Sequence, residues 1–178
     1  RFPTMEELSI KHVTSRDKIK QFLSFHFFPY EYFSLEHTML FFIVGRYEMK
    51  NKGIDLFIRA LAKLNDWLKQ EGSKRTVAAF FWIPQETHGI KIEVLENKNY
   101  YRHIKNYVDY NADEILKKIA DEFIAKRQIN IKSLLTKEFI NDIKKDISHF
   151  KRTGNAPICT HNIPDEDADP IIRLLKET

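Results

Sequence analysis

The 178-residue chain holds a single cysteine, Cys159, so no internal disulfide framework can staple it, which fits a reducing compartment. Glycine and proline are scarce, at 5 and 6 residues, too few turn formers for a sandwich of many short strands; helices are favoured instead. No apolar run approaches the ~20 residues that span a bilayer, so no membrane insertion is expected. The chain opens at Arg1 with neither a methionine nor an apolar signal segment. Charge of one sign is also weak, 29 basic against 25 acidic side chains. What is present in quantity is apolar: 43% hydrophobic and 13% aromatic residues, enough to bury a core and to exclude disorder for most of the chain.

The charges are unevenly placed. Lys98 to Arg152 carries 13 basic and 8 acidic residues, and Gly154 to Thr178 carries 2 and 5. A polyanion-binding surface would need a cleaner basic stripe. Asp113, Glu114, Asp121 and Glu122 interrupt this one, so it reads as a solvated helix face and nucleic acid is not an expected partner.

Hydrophobic spacing organises the rest. Ser15 opens a helix signal that runs through Ile19, Phe22, Leu23 and Phe27 to Pro29. Met39 to Val44 is a continuous apolar run stopped by Gly45, the pattern of a strand buried on both faces in a parallel sheet. Ile54, Phe57, Ile58, Leu61, Leu64 and Leu68 form a helical stripe with Gly72 just past its end, and Thr76 to Ile83 is a second buried strand closed by Pro84. Together, at about residues 38–84, they predict a βαβ unit. Beyond Pro84 the spacing predicts a short strand at Ile90 to Leu95, then a helix over Asn99 to Tyr110. A second helix follows with a capping-box pattern at Asn111 and Glu114, and a third opens at Thr136 with the stripe Phe139, Ile143, Ile147 and Phe150. A short helix around Ile171 to Leu175 ends the chain.

The chemistry concentrates where the first strand ends, at Gly45-Arg46-Tyr47-Glu48-Met49-Lys50-Asn51-Lys52-Gly53. Ligands of open α/β sheets bind beyond the carboxyl ends of strands. A helix amino terminus there offers backbone N–H groups and a positive dipole end, which suits phosphate. Arg46 can clamp two phosphate oxygens and Lys52 can act as a mobile point charge. Gly45 and Gly53 let the backbone turn and approach a ligand. The glycines are misplaced for a dinucleotide fingerprint or a GxxxxGK[ST] phosphate loop. The alternative is a basic turn in which Arg46 and Lys52 simply pair with Glu48 or Asp55.

FFIVGRYEMKNKGIDLFIRALAKLN at Phe41 to Asn65 resembles the matching stretch of glycogen synthases of the animal and fungal type. TVAAFFWIP at Thr76 to Pro84 and APICTHNIPDEDADP at Ala156 to Pro170 resemble the same family in the same order, and Arg1 to Phe28 also fits. The resemblance implies an α/β fold: a partial Rossmann-like parallel sheet, the carboxyl-terminal domain of a GT-B enzyme, with a mostly helical insertion. It divides the chain into 1–97, the start of a nucleotide-sugar-binding domain; 98–153, the insertion; and 154–178, a return segment. It implies a retaining, metal-independent transfer of glucose from UDP-glucose to the non-reducing end of an α-1,4-glucan, in the cytoplasm and without a cofactor. Arg46 and Lys52 match the family's donor-phosphate contacts, flanked by Gly45 and Gly53. Asn99 to Phe150 matches the part that builds subunit contacts, so a homo-oligomer is expected. The missing acceptor domain and paired-glutamate motif imply excision from a longer enzyme, inactive alone. The competing expectation is a helical oligomerisation module without catalysis, cued by the unpartnered stripe Phe139, Ile143, Ile147 and Phe150.

Lesser candidates read as structural. Cys159 and His161 lie two apart with no orienting acid, so a tying role for His161 outranks a catalytic pair. The run Asp165, Glu166, Asp167 and Asp169 lacks EF-hand spacing and reads as a solvated cap before the last helix. Trp67 and Trp82 fall on apolar faces, where core packing outranks sugar stacking.

Overall fold

A computed structural model describes residues 2–178. These form two compact units, one comprising the chain up to Glu31 with Ile92–Ala156, the other Tyr32–Lys91 with Pro157–Thr178. Contacts group the amino-terminal helix with the helices from Ile92 onward.

The first unit is helical. Helix α1 spans Met5–Phe27, ten residues earlier than the Ser15 signal suggests. Its start is a capping box: Thr4 accepts from the Glu7 N–H while Glu7 accepts from the Thr4 N–H. Helix α3 spans Ile92–Tyr110. The predicted strand at Ile90 to Leu95 is therefore corrected: Ile90, Ile92 and Val94 alternate like a strand, but Val94 and Asn97, three apart, are both buried on one helix face. Only Ile90 makes a strand-like bridge, to His161. Helices α4 (Ala112–Ile124) and α5 (Ile131–Leu134) follow. The capping box expected at Asn111 is absent, because the Asn111 side chain donates back to the Tyr107 carbonyl instead. Helix α6 (Lys137–Phe150) opens as expected on Thr136, whose hydroxyl accepts from the Phe139 N–H at 3.1 Å.

The stripe on α6 has a partner after all. Phe139 and Phe150 are buried, with ring contacts to Tyr107 and Tyr101 of α3, and His149 stacks on Tyr100. Arg152 closes this unit, donating from Nε to Asn97 Oδ1 at 2.6 Å, from its terminal nitrogen to Glu96 at 2.6 Å, and from its backbone to the Pro29 carbonyl.

The second unit is a βαβ: β1 (Thr38–Val44), α2 (Ile54–Gln70) and β2 (Thr76–Trp82), with the two strands parallel and Thr38 opposite Thr76 through Val44 opposite Trp82. A three-residue 3-10 turn, Leu35–His37, leads into β1. Helix α2 ends on Gly72 in the left-handed region, with Ser73 N–H bonded to the Leu68 carbonyl and Gly72 N–H to that of Lys69, the paired bonds of a Schellman terminus. Helix α7 (Pro170–Glu177) completes the unit. Ile54, Ile58 and Ile171 make its core, with Ile43, Tyr47, Met49, Phe81 and Ile83 packed around them. Helix α2 covers the face of the sheet that carries Ile43 and Phe81, where Phe57 packs on Phe81. The other face keeps Phe42, Phe80 and Trp82 in ring contact, with Trp82 56% exposed, and on α2 Trp67 is 55% exposed. Neither tryptophan is the core residue its apolar surroundings in sequence suggested.

Candidate functional site

The loop Gly45 to Gly53 lies at the carboxyl end of β1, where the strand direction delivers it. Gly45 stays in register with the sheet, its N–H reaching the Trp82 carbonyl at 3.3 Å. The stem of Lys52 passes beside Gly45; a Cβ added at Gly45 would meet Lys52 Cγ at 3.6 Å, ordinary contact. Gly53 caps α2 with φ +65°, a left-handed conformation that favours glycine. The loop thus brings Gly45 and Lys52 side by side.

Backbone bonding makes the loop a built turn. Glu48 N–H donates to the Arg46 carbonyl, Lys52 N–H to that of Glu48, and Gly53 N–H to that of Lys50. Ile54 N–H bonds the Met49 carbonyl at 2.9 Å, and Asp55 N–H leans to the same oxygen at 3.5 Å. The N–H groups of Ile54 and Asp55 are therefore engaged internally, where the sequence pattern predicts N–H groups open to phosphate. Anion attraction at this end rests on side-chain charge and on the helix dipole.

Arg46 pairs with Glu48, Nε to Oε1 at 3.2 Å, with its side chain 78% exposed. Asn51 also donates to Glu48, at 3.4 Å. An exposed pair of this kind is worth at most ~1 kcal/mol, less than a charge-assisted contact to phosphate, so the guanidinium can be given up to an anion at little cost. Among the described residues Lys52 forms no ion pair, and it is exposed. The pairing of Arg46 that the alternative reading required is present; that of Lys52 with Glu48 or Asp55 is not.

Between the two cations, Tyr47 points inward. Its hydroxyl donates to Asp169 Oδ2 at 2.8 Å, and Gln85 Nε2 donates to the same oxygen at 3.0 Å. The other oxygen, Oδ1, accepts from the N–H groups of Ile171 and Ile172 at the start of α7, both at 3.0 Å. Asp169 is 6% exposed and meets four donors, which compensates its buried charge. The expectation of a solvated acidic cap is corrected at this residue. Asp165 bonds the Ala168 N–H, Glu166 pairs with Lys91 and Asp167 with Lys176, so those three do form a surface cap. Burial, and then the Asp169 carboxylate, push the Tyr47 hydroxyl up to about 12, so it stays a donor at any ordinary pH. The Asp169-Pro170 step is a side-chain cap followed by proline at the first helical position. Nothing in spacing linked it to Tyr47 across the chain.

His161 bridges to Ile90, and its neighbours extend the tie: Asn162 N–H bonds Gly89, His88 N–H bonds Asn162 and Lys91 N–H bonds Thr160. This structural tie lies within the second unit.

A parallel βαβ unit with a basic strand-to-helix turn places the molecule in the α/β class. The family model described as "Glycogen synthase" matches residues 1–178. The chain is 33% identical to glycogen [starch] synthase isoform 1 of Saccharomyces cerevisiae and 32% identical to glycogen [starch] synthase of Neurospora crassa, in each case over 99% of this chain and 26% of the relative. It is 30% identical to the liver glycogen [starch] synthase of Rattus norvegicus over 99% of this chain and 25% of that protein. The chain belongs to the glycogen synthase family. It spans about a quarter of the length of the curated relatives it matches.

Proposed function

We propose that the chain is part of a glycogen synthase, a retaining glycosyltransferase of GT-B architecture that moves glucose from UDP-glucose to the non-reducing end of an α-1,4-glucan in the cytoplasm. Its share of the work is to hold the diphosphate of the donor. The observation that carries this reading is the turn after β1: two cations on a bonded loop, one unpaired and one held only by a weak exposed pair. As the glycosidic bond breaks, the departing UDP gains negative charge on its diphosphate. Arg46 and Lys52 offset that charge without metal or cofactor, because cations carried on a bonded turn next to developing charge lower the barrier. The Lys52 stem runs beside Gly45, and Gly53 sets the direction in which the loop enters α2. The test is glucosyl transfer by the full-length enzyme: Lys52→Ala is expected to cut turnover by ~100-fold, the scale for losing one preorganised charge. Wild-type turnover would remove Lys52 from the mechanism. The 178-residue chain alone is expected to transfer no glucose.

A second reading, assembly of copies through Asn99–Phe150, draws on α4 rather than on α6. Leu116 and Phe123, seven apart, are 62% and 69% exposed on one helix face, and Ile124 lies beside them. Light scattering checks it: Phe123→Asp is expected to lower the mass of the full-length assembly, and an unchanged mass discards this face.

A further inference from the structure

We infer that Tyr47, Asp169 and Gln85 form a positioning clamp that fixes the basic turn, so that Tyr47 acts on the reaction through its neighbours Arg46 and Lys52. This rests on the proposed role of those two cations.

Three separate pieces of the second unit meet at one carboxylate. Tyr47 comes from the turn after β1, Gln85 from the segment after β2, and Asp169 from the cap of α7. Each of the two donors to Oδ2 thus leaves the carboxyl end of its own strand. Asp169 cannot shift toward either without breaking its bonds from Ile171 and Ile172, which belong to a helix packed on the core through Ile171. The ring of Tyr47 packs on that same core beside Ile54 and Ile58. So one residue of the turn is held both by packing and by a half-buried hydrogen bond, while Arg46 just before it stays exposed. Arg46 and Lys52 are long, exposed side chains whose own geometry is soft. What can be preorganised is the backbone that carries them, and Tyr47 is its anchor into the core. A displacement of about 1 Å in a positioned group is enough to cost ~100-fold in rate.

The hydroxyl is a positioning group and not an acid or base of the reaction. It faces Asp169 at 2.8 Å, inward from the cations, and its proton is held far above neutral pH.

The experiment is a double-mutant cycle in the full-length enzyme, with steady-state glucosyl transfer from UDP-glucose as readout and melting temperature as control. Tyr47→Phe keeps the ring and its packing and removes only the hydroxyl. It is expected to lower kcat/KM by ~10-fold in the wild-type background and by less than ~2-fold when Arg46 and Lys52 are already alanine, because the clamp then has nothing left to position. Asp169→Asn, which keeps the shape of the cap, is the second arm and is expected to show the same loss of effect. A general loss of stability would lower activity by the same factor in both backgrounds; that result overturns the clamp. So does normal kcat/KM in both Tyr47→Phe and Asp169→Asn while the cation variants are impaired. Normal activity in Arg46→Ala and Lys52→Ala would instead overturn the proposed role of the cations, so the two failures are told apart.

Discussion

At the scale of single residues, conformation and protonation decide most. Gly53 sits at φ +65° with nothing within 4 Å of an added Cβ, so space is no obstacle to a side chain there. The cost of Gly53→Ala is therefore backbone strain alone, ~1–2 kcal/mol. A lowered denaturation midpoint of that size checks it, and an unchanged midpoint would mean that the turn relaxes. Tyr47 makes a prediction in pH. Its hydroxyl ionises at about 12 in the folded chain, against ~10 for an unfolded tyrosine. Above pH ~10 the unfolded chain loses a proton that the folded chain keeps, so unfolding becomes easier as pH rises. The stability that Tyr47 contributes through this bond is full below pH ~10 and is lost as pH rises through about 12. The gap in stability between wild type and Tyr47→Phe should therefore be constant at lower pH and close over that window in alkaline denaturation curves. A gap that stays open would contradict the raised ionisation.

At the scale of elements, caps and faces carry the argument. Thr136 bonds the Phe139 N–H, so Thr136→Ala should cost ~1 kcal/mol. Phe139→Ala removes a buried ring facing Tyr107 and should cost ~3–5 kcal/mol; thermal denaturation of the two variants ranks the cap against the core. The elements with one strong signal were legible from sequence: β1 and β2 as continuous apolar runs, α2 by its stripe and its terminal glycine, and α6 by its capping threonine. Others were not. Ile90, Ile92 and Val94 alternate, and only burial of Val94 with Asn97 shows that helix period wins there. Thr4 with Glu7 is a plain capping box, but the polar residues between it and Ile19 hide its continuity with the later stripe. The site shows the same split. Its cations were visible as a basic turn bracketed by glycines, whereas the tie from Tyr47 to Asp169 spans 122 positions and has no local signature.

At the scale of the whole molecule, the two units divide the sequence differently from the order of its motifs. The basic turn, the second strand and the carboxyl-terminal segment meet in one unit, while both pieces of the other are mostly helical. The two-stranded sheet of the βαβ unit leaves Phe42 and Trp82 open on one face, the state of a sheet that carries less cover than its side chains can use. That fits a chain spanning a quarter of its relatives' length, and the proposed activity accordingly belongs to the full-length enzyme. The central claim is that Arg46 and Lys52 hold the donor's diphosphate. Calorimetric titration of UDP into that enzyme tests it most directly, since it reads the contact without the chemical step. With both residues changed to alanine and the fold intact, UDP should bind at least ~10-fold more weakly, the scale of one lost charge-assisted bond. An unchanged affinity would contradict the claim.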